Sequence, residues 1–372
     1  MRKIDFIGNP SSPHVRHWEM ILNGNGIDPI VHGIARHFSS QTLVRTARVL
    51  GPAWSKCMPA PLAYAMAGLW IRFRSIAGHP VATFFHAHNT SGYGLTAWLS
   101  GVPYGVTTYG TEIFDADNRG FLYRVLIKKI LRRANFVTSS SPRMTSTLVE
   151  KFSVNSSKVC ELYLGVSPVF QYSDDARERS RAELGIPQDA IVWIVNRRMH
   201  EIYRVLETIY AFNDLSKNNI HVHLILIEGD ADQKYAALVS AEAKKNPNIH
   251  IIRGFMRQDV LRDWLCAADF AISVPRSDQL SSSILEAMQC NVVPVLGMLP
   301  SYQAVGSAAE WVDMSPHKEI SSLTSMFMRT ANFSPADMKI AREAVKLKIK
   351  EINNPVSISN TVLQLYKNEL IN

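Results

Sequence analysis

The segment Ser277-Asp278-Gln279-Leu280-Ser281-Ser282-Ser283-Ile284-Leu285-Glu286-Ala287-Met288 sets two carboxylates around a run of serines, just ahead of the apolar run VVPVLG. Asp278 closes a strand–loop unit, and serines are favoured helix N-cap residues, so a helix is expected to open near Ser281–Ser283. Its first backbone N–H groups lack intrahelical partners and carry the positive end of the dipole, which makes an anion site. Glu286, about one turn in, stands where a carboxylate can accept hydrogen bonds from ribose hydroxyls. A nucleotide diphosphate sugar needs this set. A capped helix with an incidental acid fits the same residues.

Other chemistry-bearing residues carry less. His86-Ala-His88 and His221-Val-His223 each put two imidazoles on one strand face. A metal site needs a third convergent ligand, which the sequence does not supply, so neither a metal nor a resident cofactor is expected. Cys57, Cys160, Cys266 and Cys290 lie far apart without a C-x-x-C pair, which argues against a disulfide framework or a zinc site.

The elements that must position these groups alternate. IDFIG, IDPIVHGI, VATFFHAH, YGVTTYG and ANFVTSSS read as strands, with a helix over about His14–Asn23 after the Asn9-Pro10 loop. The polar run Ser167–Gly185 reads as a linker. The pattern then restarts with IVWIVN, HVHLILIEG, NIHIIRGF, DFAISVP and VVPVLG. Strands separated by helices of ten or more residues mean parallel βαβ units in doubly wound sheets, and ligands of such sheets bind at the carboxyl ends of the strands. With 372 residues the chain has length for two α/β domains. The expected division is 1–168, a linker at 169–187, a second Rossmann-like domain at 188–352, and a C-terminal segment 353–372 returning to the first. Asn353-Asn354-Pro355 breaks the last helical region ahead of a final helix at about Ser357–Glu369.

Charge is unevenly shared. Residues 1–166 hold 18 Lys+Arg and 8 Asp+Glu, a net of +10, and residues 167–372 a net of −2. An excess of this kind suits an anionic partner, such as membrane lipid or a phosphate-bearing acceptor. No recognition helix, zinc finger or RNP-like aromatic set accompanies it, so no nucleic acid is expected. MRKIDFIGNP begins like a signal peptide but Asn9-Pro10 cuts the apolar run short. The longest apolar stretch, about Met58 to Trp70, contains Pro59 and Pro61 and falls short of a bilayer span. A soluble, cytoplasmic protein is expected.

Read in order, these segments resemble the retaining glycosyltransferases of family four, which have the GT-B fold: two doubly wound Rossmann-like domains facing across a cleft. Asp278 and Glu286 have that family's acid–seven–glutamate spacing, and LEAM matches its helix opening, with Asp in place of the first Glu. HAHNTSGYGLTAWLSGVPYGVTTYGTEI, RRANFVTSSSPRM, ELYLGVSPVF and AIVWIVNRRMHEIYRVLETIYAF resemble its other segments. The resemblance implies that Glu286 binds ribose and that Asp278 lies beside the transferred sugar. It gives Leu280, Ser281 and Ser282 backbone contacts to sugar and diphosphate, and Arg198 the grip on the diphosphate. The family lysine falls on Tyr203, with Arg204 beside it as a substitute. Gly229 resembles the first glycine of a G-x-G loop whose second position is Ala231, and Gly254-Phe255-Met256 the turn that packs the nucleobase. In the first half Tyr109 takes the place of the family's "HG" histidine near the reacting sugar. Ser12-Pro13-His14-x-Arg16-x-Trp18 resembles the loop bordering the donor, where His14 either acts on the acceptor hydroxyl or caps the loop.

The implied activity is transfer of a sugar, with retention and without a metal, from a UDP- or GDP-type donor to a glycan acceptor. The acceptor expected is lipid-diphosphate-linked, as in O-antigen or capsule assembly. A sugar-nucleotide epimerase or phosphorylase of the same fold, or an inactive sugar-binding partner subunit, are the alternatives. Pro52–Arg74 mixes Trp54, Met58, Leu62, Tyr64, Met66, Leu69, Trp70 and Ile71 with Lys56, Arg72 and Arg74. That mixture suits an anionic membrane surface at the inner face of the plasma membrane, through a helix beginning near Pro61. A helix packed inside the first domain would bury the same residues.

Overall fold

A computed structural model describes residues 4–38, 42, 44–51, 56–216 and 221–370. Among these, thirteen strands, all paired in parallel, form one sheet of seven and one of six. The chain divides into two compact units, Met1–Leu164 with Pro355–Asn372, and Gly165–Asn354.

The first unit runs β1 (Ile4–Ile7), α1 (Pro13–Asn23), β2 (Ile30–Ile34), β3 (Ala47–Leu50), α2 (Ala60–Ile76), β4 (Phe84–His88), α3 (Leu95–Ser100), β5 (Tyr104–Thr107), α4 (Thr111–Phe114), α5 (Phe121–Arg133), β6 (Val137–Ser139), α6 (Pro142–Glu150) and β7 (Val159–Glu161). Strand order is β3-β2-β1-β4-β5-β6-β7, so the winding reverses between β1 and β4. A parallel sheet must be covered on both faces, and alternate residues serve separate cores. Phe85, Ala87 and Val106 join one core with Ala63, Ala67, Ile127 and Ile130, while Phe6, Val31 and Phe84 join another with Trp18 and Leu22 of α1.

The second unit runs α7 (Asp174–Glu183), β8 (Ile191–Val195), α8 (Val205–Ser216), β9 (Val222–Ile227), α9 (Gln233–Ala243), β10 (Ile249–Ile252), α10 (Gln258–Ala267), β11 (Phe270–Ser273), α11 (Ser282–Gln289), β12 (Val293–Gly297), β13 (Glu310–Val312), α12 (Glu319–Ala331) and α13 (Pro335–Ile352). Its order, β10-β9-β8-β11-β12-β13, reverses between β8 and β11. Trp193, at the centre of the sheet, stacks on Phe270 and meets Phe212 and Phe327 edge-on. The last helix, α14 (Pro355–Leu370), belongs to the first unit, where Ile358, Val362 and Tyr366 complete the core beside α1.

Two features depart from the sequence reading. Three strands were not expected: β3, β7 and β13, each of which closes a sheet edge. An edge strand is short and half-exposed and does not need the apolar run that marks a central one. The run 167–185, read as a linker, contains α7, which Ser173 caps by accepting from Ala176 N at 3.3 Å. Two of its arginines are enclosed, not solvated. Arg181 is fully buried and donates to the carbonyls of Ala267, Pro187, Gln188 and Ala190 and, at 2.9 Å, to Asp269. Arg177 and Arg342 also reach Asp269, at 2.8 and 2.9 Å, and Val192 N donates to it at 2.9 Å. One buried carboxylate thereby ties α7 and α13 to the amino ends of β8 and β11. Asn353 does similar work with neutral groups: its side chain accepts from Val166 N and donates to Gln289, joining the two ends of the unit.

Removing one partner of a buried charge cluster leaves the others uncompensated, at a cost of about 3–5 kcal/mol. Asp269→Ala is therefore expected to lower the unfolding free energy of this unit by that much. Urea unfolding followed by tryptophan fluorescence measures it, and a midpoint equal to the wild type would remove Asp269 from this role.

Candidate functional site

In an open parallel sheet the chain leaves a crevice where the winding reverses, beyond the carboxyl ends of the strands. In the second unit that point lies between β8 and β11, and it is occupied by Arg197, two residues past β8, and Asp278, in the loop past β11. The Arg197 guanidinium lies 2.9 Å from Asp278 Oδ2, donates to Ser283 Oγ at 2.6 Å, and sits over the Tyr203 ring at 4.3 Å. Asn196 donates to the Ser283 carbonyl at 2.8 Å. Tyr302 Oη donates to Asp278 Oδ2 at 2.8 Å, Gln279 N to Oδ1 at 2.9 Å, and Ser301 Oγ to the Asp278 carbonyl at 2.7 Å. Every oxygen of Asp278 is engaged. Burial opposes the Arg197 charge, but Asp278, with Tyr203 and Tyr302, more than offsets it and holds the guanidinium above its ordinary pKa.

Helix α11 starts at this pair. Ser281 is its N-cap in extended conformation, yet no side chain caps the first turn, and Ser281 Oγ bonds to Ser283 Oγ at 2.9 Å instead. The uncapped N–H groups keep the dipole end open toward an anion. Leu280 is buried just ahead of the cap, and Ser282 is exposed. Glu286 lies one turn in. Burial pushes its carboxyl up to about 7, against the Ser282 hydroxyl and the Arg197 charge, which pull it down.

The remaining positions on this edge follow β8, β9 and β10. Arg198 is exposed, and its side chain forms no hydrogen bond or ion pair among the described residues. Its backbone abuts Gly229 so closely that a Cβ there would stand 3.2 Å from Arg198 Cβ, and Gly229 has φ +63°. Only glycine meets both demands without strain. Gly254 N donates to Glu228 Oε2 at 2.6 Å, which fixes the turn that presents Phe255, 77% exposed, beside half-buried Met256.

The structure brings Asp278, Ser281, Ser282 and Glu286 together and adds Arg197, Tyr203 and Tyr302, which the sequence reading did not assign to the site. It does not bring Arg204 with them. Arg204 sits in the left-handed region (φ +52°), buried, with its guanidinium donating to the Val274 carbonyl at 3.3 Å and 4.0 Å from Glu319. The guanidinium expected to stand in for the family lysine is thus committed inside the unit. The Arg197-Arg198 pair gave a signal in the sequence, since two arginines directly after a central strand mark the switch point. Asp278 and Ser283 hold Arg197 inward, while Arg198 is left exposed.

The first unit carries a second group at its own reversal point, beyond β1, β4 and β5. His14 lies at the start of α1, its ring 5.2 Å from that of Tyr109. Tyr109 Oη meets His88 Nδ1 at 3.0 Å, and the Tyr109 N–H donates to Glu112 at 3.0 Å. His86 spends one ring nitrogen on Tyr366 Oη at 2.5 Å and the other on Thr107 Oγ1 at 2.8 Å. The two strand histidines are thus engaged by hydroxyls, and α14 is anchored through one of them. Burial, then the neighbouring His14, pushes His88 down to about 3 and His17 to about 4, so both rings are neutral at pH 7. Burial also raises Tyr109.

No protein-family model and no curated protein matches the chain by sequence. Solved structures match by fold. Anabaena HepE in complex with UDP and glucose has a TM-score of 0.77 at 13% identity, covering 99% of this chain and 100% of that one. Sucrose-phosphate synthase from Thermosynechococcus elongatus has a TM-score of 0.77 at 14% identity, covering 99% of both chains. A glycosyltransferase from Rickettsia africae has a TM-score of 0.75 at 12% identity, covering 100% of this chain and 99% of that one. The fold is GT-B.

The raised Glu286 carboxyl makes a prediction independent of any ligand. An acid whose folded pKa is about 7 against 4.5 unfolded binds more protons in the native state between those values. Its contribution to stability is full below pH 4.5 and is lost as pH rises through 7. Glu286→Gln removes this dependence. Relative to wild type, the variant is expected to gain stability from pH 5 to pH 8 by roughly 3 kcal/mol at most. Thermal melts at matched pH values check it, and parallel curves would mean that Glu286 titrates normally.

Proposed function

We propose that this chain is a glycosyltransferase that moves a sugar from a nucleotide diphosphate sugar, of UDP or GDP type, to a glycan acceptor. The observation that carries the reading is the uncapped start of α11 at the switch point of the second unit, with Glu286 inside it and Arg198, unpaired among the described residues, on the same strand edge. Support comes from the fold likeness to HepE, which was solved with UDP and glucose.

In this reading Glu286 takes the ribose hydroxyls, and the Gly254-Phe255-Met256 turn packs the base. The first turn of α11, with Leu280, Ser281 and Ser282, and the Arg198 guanidinium take the diphosphate. Gly229 keeps the neighbouring backbone close. Charge grows on the leaving diphosphate as an oxocarbenium-like centre forms, and fixed positive groups in place before the reaction stabilise that charge. The arginine and the helix dipole supply this without a divalent ion. Arg197 is positioned by Asp278, Tyr302 and the Tyr203 face; it fixes the start of α11, and Asp278 lies beside the transferred sugar. The acceptor belongs to the first unit, with His14 and Tyr109 at its hydroxyl. Retention of anomeric configuration and a lipid-linked acceptor, as in O-antigen or capsule assembly, complete the proposal.

A panel of nucleotides and nucleotide sugars in thermal-shift format tests donor binding. A ligand at a hundred times its dissociation constant stabilises a fold by about 2.7 kcal/mol, and failure of every UDP and GDP compound to shift the transition would sink the proposal. Proton NMR of the product reads the anomeric outcome, and nucleotide released without acceptor would point to an epimerase. Arg198→Ala is expected to lower kcat by about 10²–10³-fold with a smaller change in donor affinity, because the interaction strengthens as charge develops. A weakened donor affinity with kcat unchanged would make Arg198 a ground-state contact only.

A further inference from the structure

Helix α2 has two apolar sides. Ala63, Ala67, Gly68 and Ile71 pack inward, and Gly68 is so close to α3 that a Cβ would stand 2.6 Å from the Thr96 carbonyl oxygen. That side alone secures the helix. Leu62, Leu69, Trp70, Phe73 and Ile76 recur at helical spacing on the other side and are between 42% and 78% exposed. The Trp70 and Phe73 rings stack at 6.5 Å. Isolated surface apolar residues need no explanation, but a continuous stripe with two aromatic rings does. Of the residues that the sequence reading counted here, Ile71 is buried, Met58 and Tyr64 pack against the core, and Trp54 lies outside the described residues.

The charge around the stripe selects its occupant. Arg72 and Arg74 lie in the same helix. α5, which packs on α3 as α2 does, carries Arg124, Lys128, Lys129, Arg132 and Arg133, and exposes Phe121 and Leu122 at its start. The three helices α2, α3 and α5 contain seven Arg/Lys and no Asp/Glu. Asp117, in the loop ahead of α5, is held by Arg124 and Lys151. A second copy docking through the same face would set cations against cations. A bilayer with anionic headgroups accepts both features: the apolar side chains reach the acyl boundary, and the basic ones stay at headgroup level. We infer that the α2–α3–α5 face seats the first unit on an anionic lipid bilayer, with Leu69, Trp70, Phe73 and Ile76 inserted and the arginines and lysines at the phosphates. This goes beyond the proposed reaction and does not depend on it.

Co-sedimentation of the full chain tests the inference, with vesicles of phosphatidylcholine alone and with one lipid in three replaced by phosphatidylglycerol. Binding is expected to the anionic vesicles only, weakening as salt shortens the screening length. Lys129→Gln with Arg132→Gln should weaken binding about thirtyfold at low salt. Trp70→Glu with Phe73→Glu should abolish it, while leaving the circular dichroism spectrum and the donor-induced thermal shift unchanged. Since all four side chains lie on the surface, these variants should fold. Three results would overturn the inference: no binding to anionic vesicles, equal binding by wild type and the Trp70/Phe73 variant, or wild-type dimers in light scattering that the variant loses. Among the described residues no helix is long and apolar enough to cross a membrane, so binding would be peripheral through this face.

Discussion

A charge taken out of water must be paired, and the second unit is organised around that constraint at both ends of one strand. Asp269, directly before β11, collects Arg177, Arg181 and Arg342, which fixes the helices that flank the sheet. Asp278, beyond the other end, collects Arg197 and Tyr302. The first carboxylate gives the unit its frame, and the second organises the candidate site at the carboxyl edge. Neither pair is strong support for net stability, because desolvation offsets most of the Coulomb attraction. What the pairs supply is position. Arg197 is held from three sides, and through Ser283 it fixes where α11 begins and where its free N–H groups point.

Beside its own reversal point the first unit uses neutral imidazoles. His86 and His88 lie deep enough that burial keeps them uncharged; both nitrogens of His86 go to the hydroxyls of Tyr366 and Thr107, and Nδ1 of His88 goes to that of Tyr109. Tyr366 belongs to α14, so a bond across 280 positions of sequence secures the C-terminal helix to the strand that leads to the candidate acceptor group. Hydrogen bonds between buried imidazoles and hydroxyls fix geometry here without charge. At its reversal point the second unit therefore presents a fixed guanidinium, and the first unit neutral imidazoles and hydroxyls.

Much of this was legible in the sequence because it rests on local chemistry. Apolar runs separated by helical patterns give parallel sheets, since a strand buried on both faces has no polar positions. The serine run before LEAM gives a helix start, and Asp278 and Glu286 follow from their spacing around it. Whereas β10 kept an apolar run, the edge strands β3, β7 and β13 were not legible, because half-exposed residues leave no pattern. Nor was α7: a helix with that many charges looks solvated until Asp269, far away in sequence, supplies a partner.

By itself the sequence determined two doubly wound units, the start of α11 and the two carboxylates beside it, because periodicity and capping act over a few residues. Tertiary structure decided which arginine faces Asp278, that Arg204 turns away to Val274, and that one side of α2 stays bare while the other packs. Each of those outcomes depends on groups brought together from distant parts of the chain. A side chain's direction, and with it the role of a charge, is set by the partner that burial makes it find.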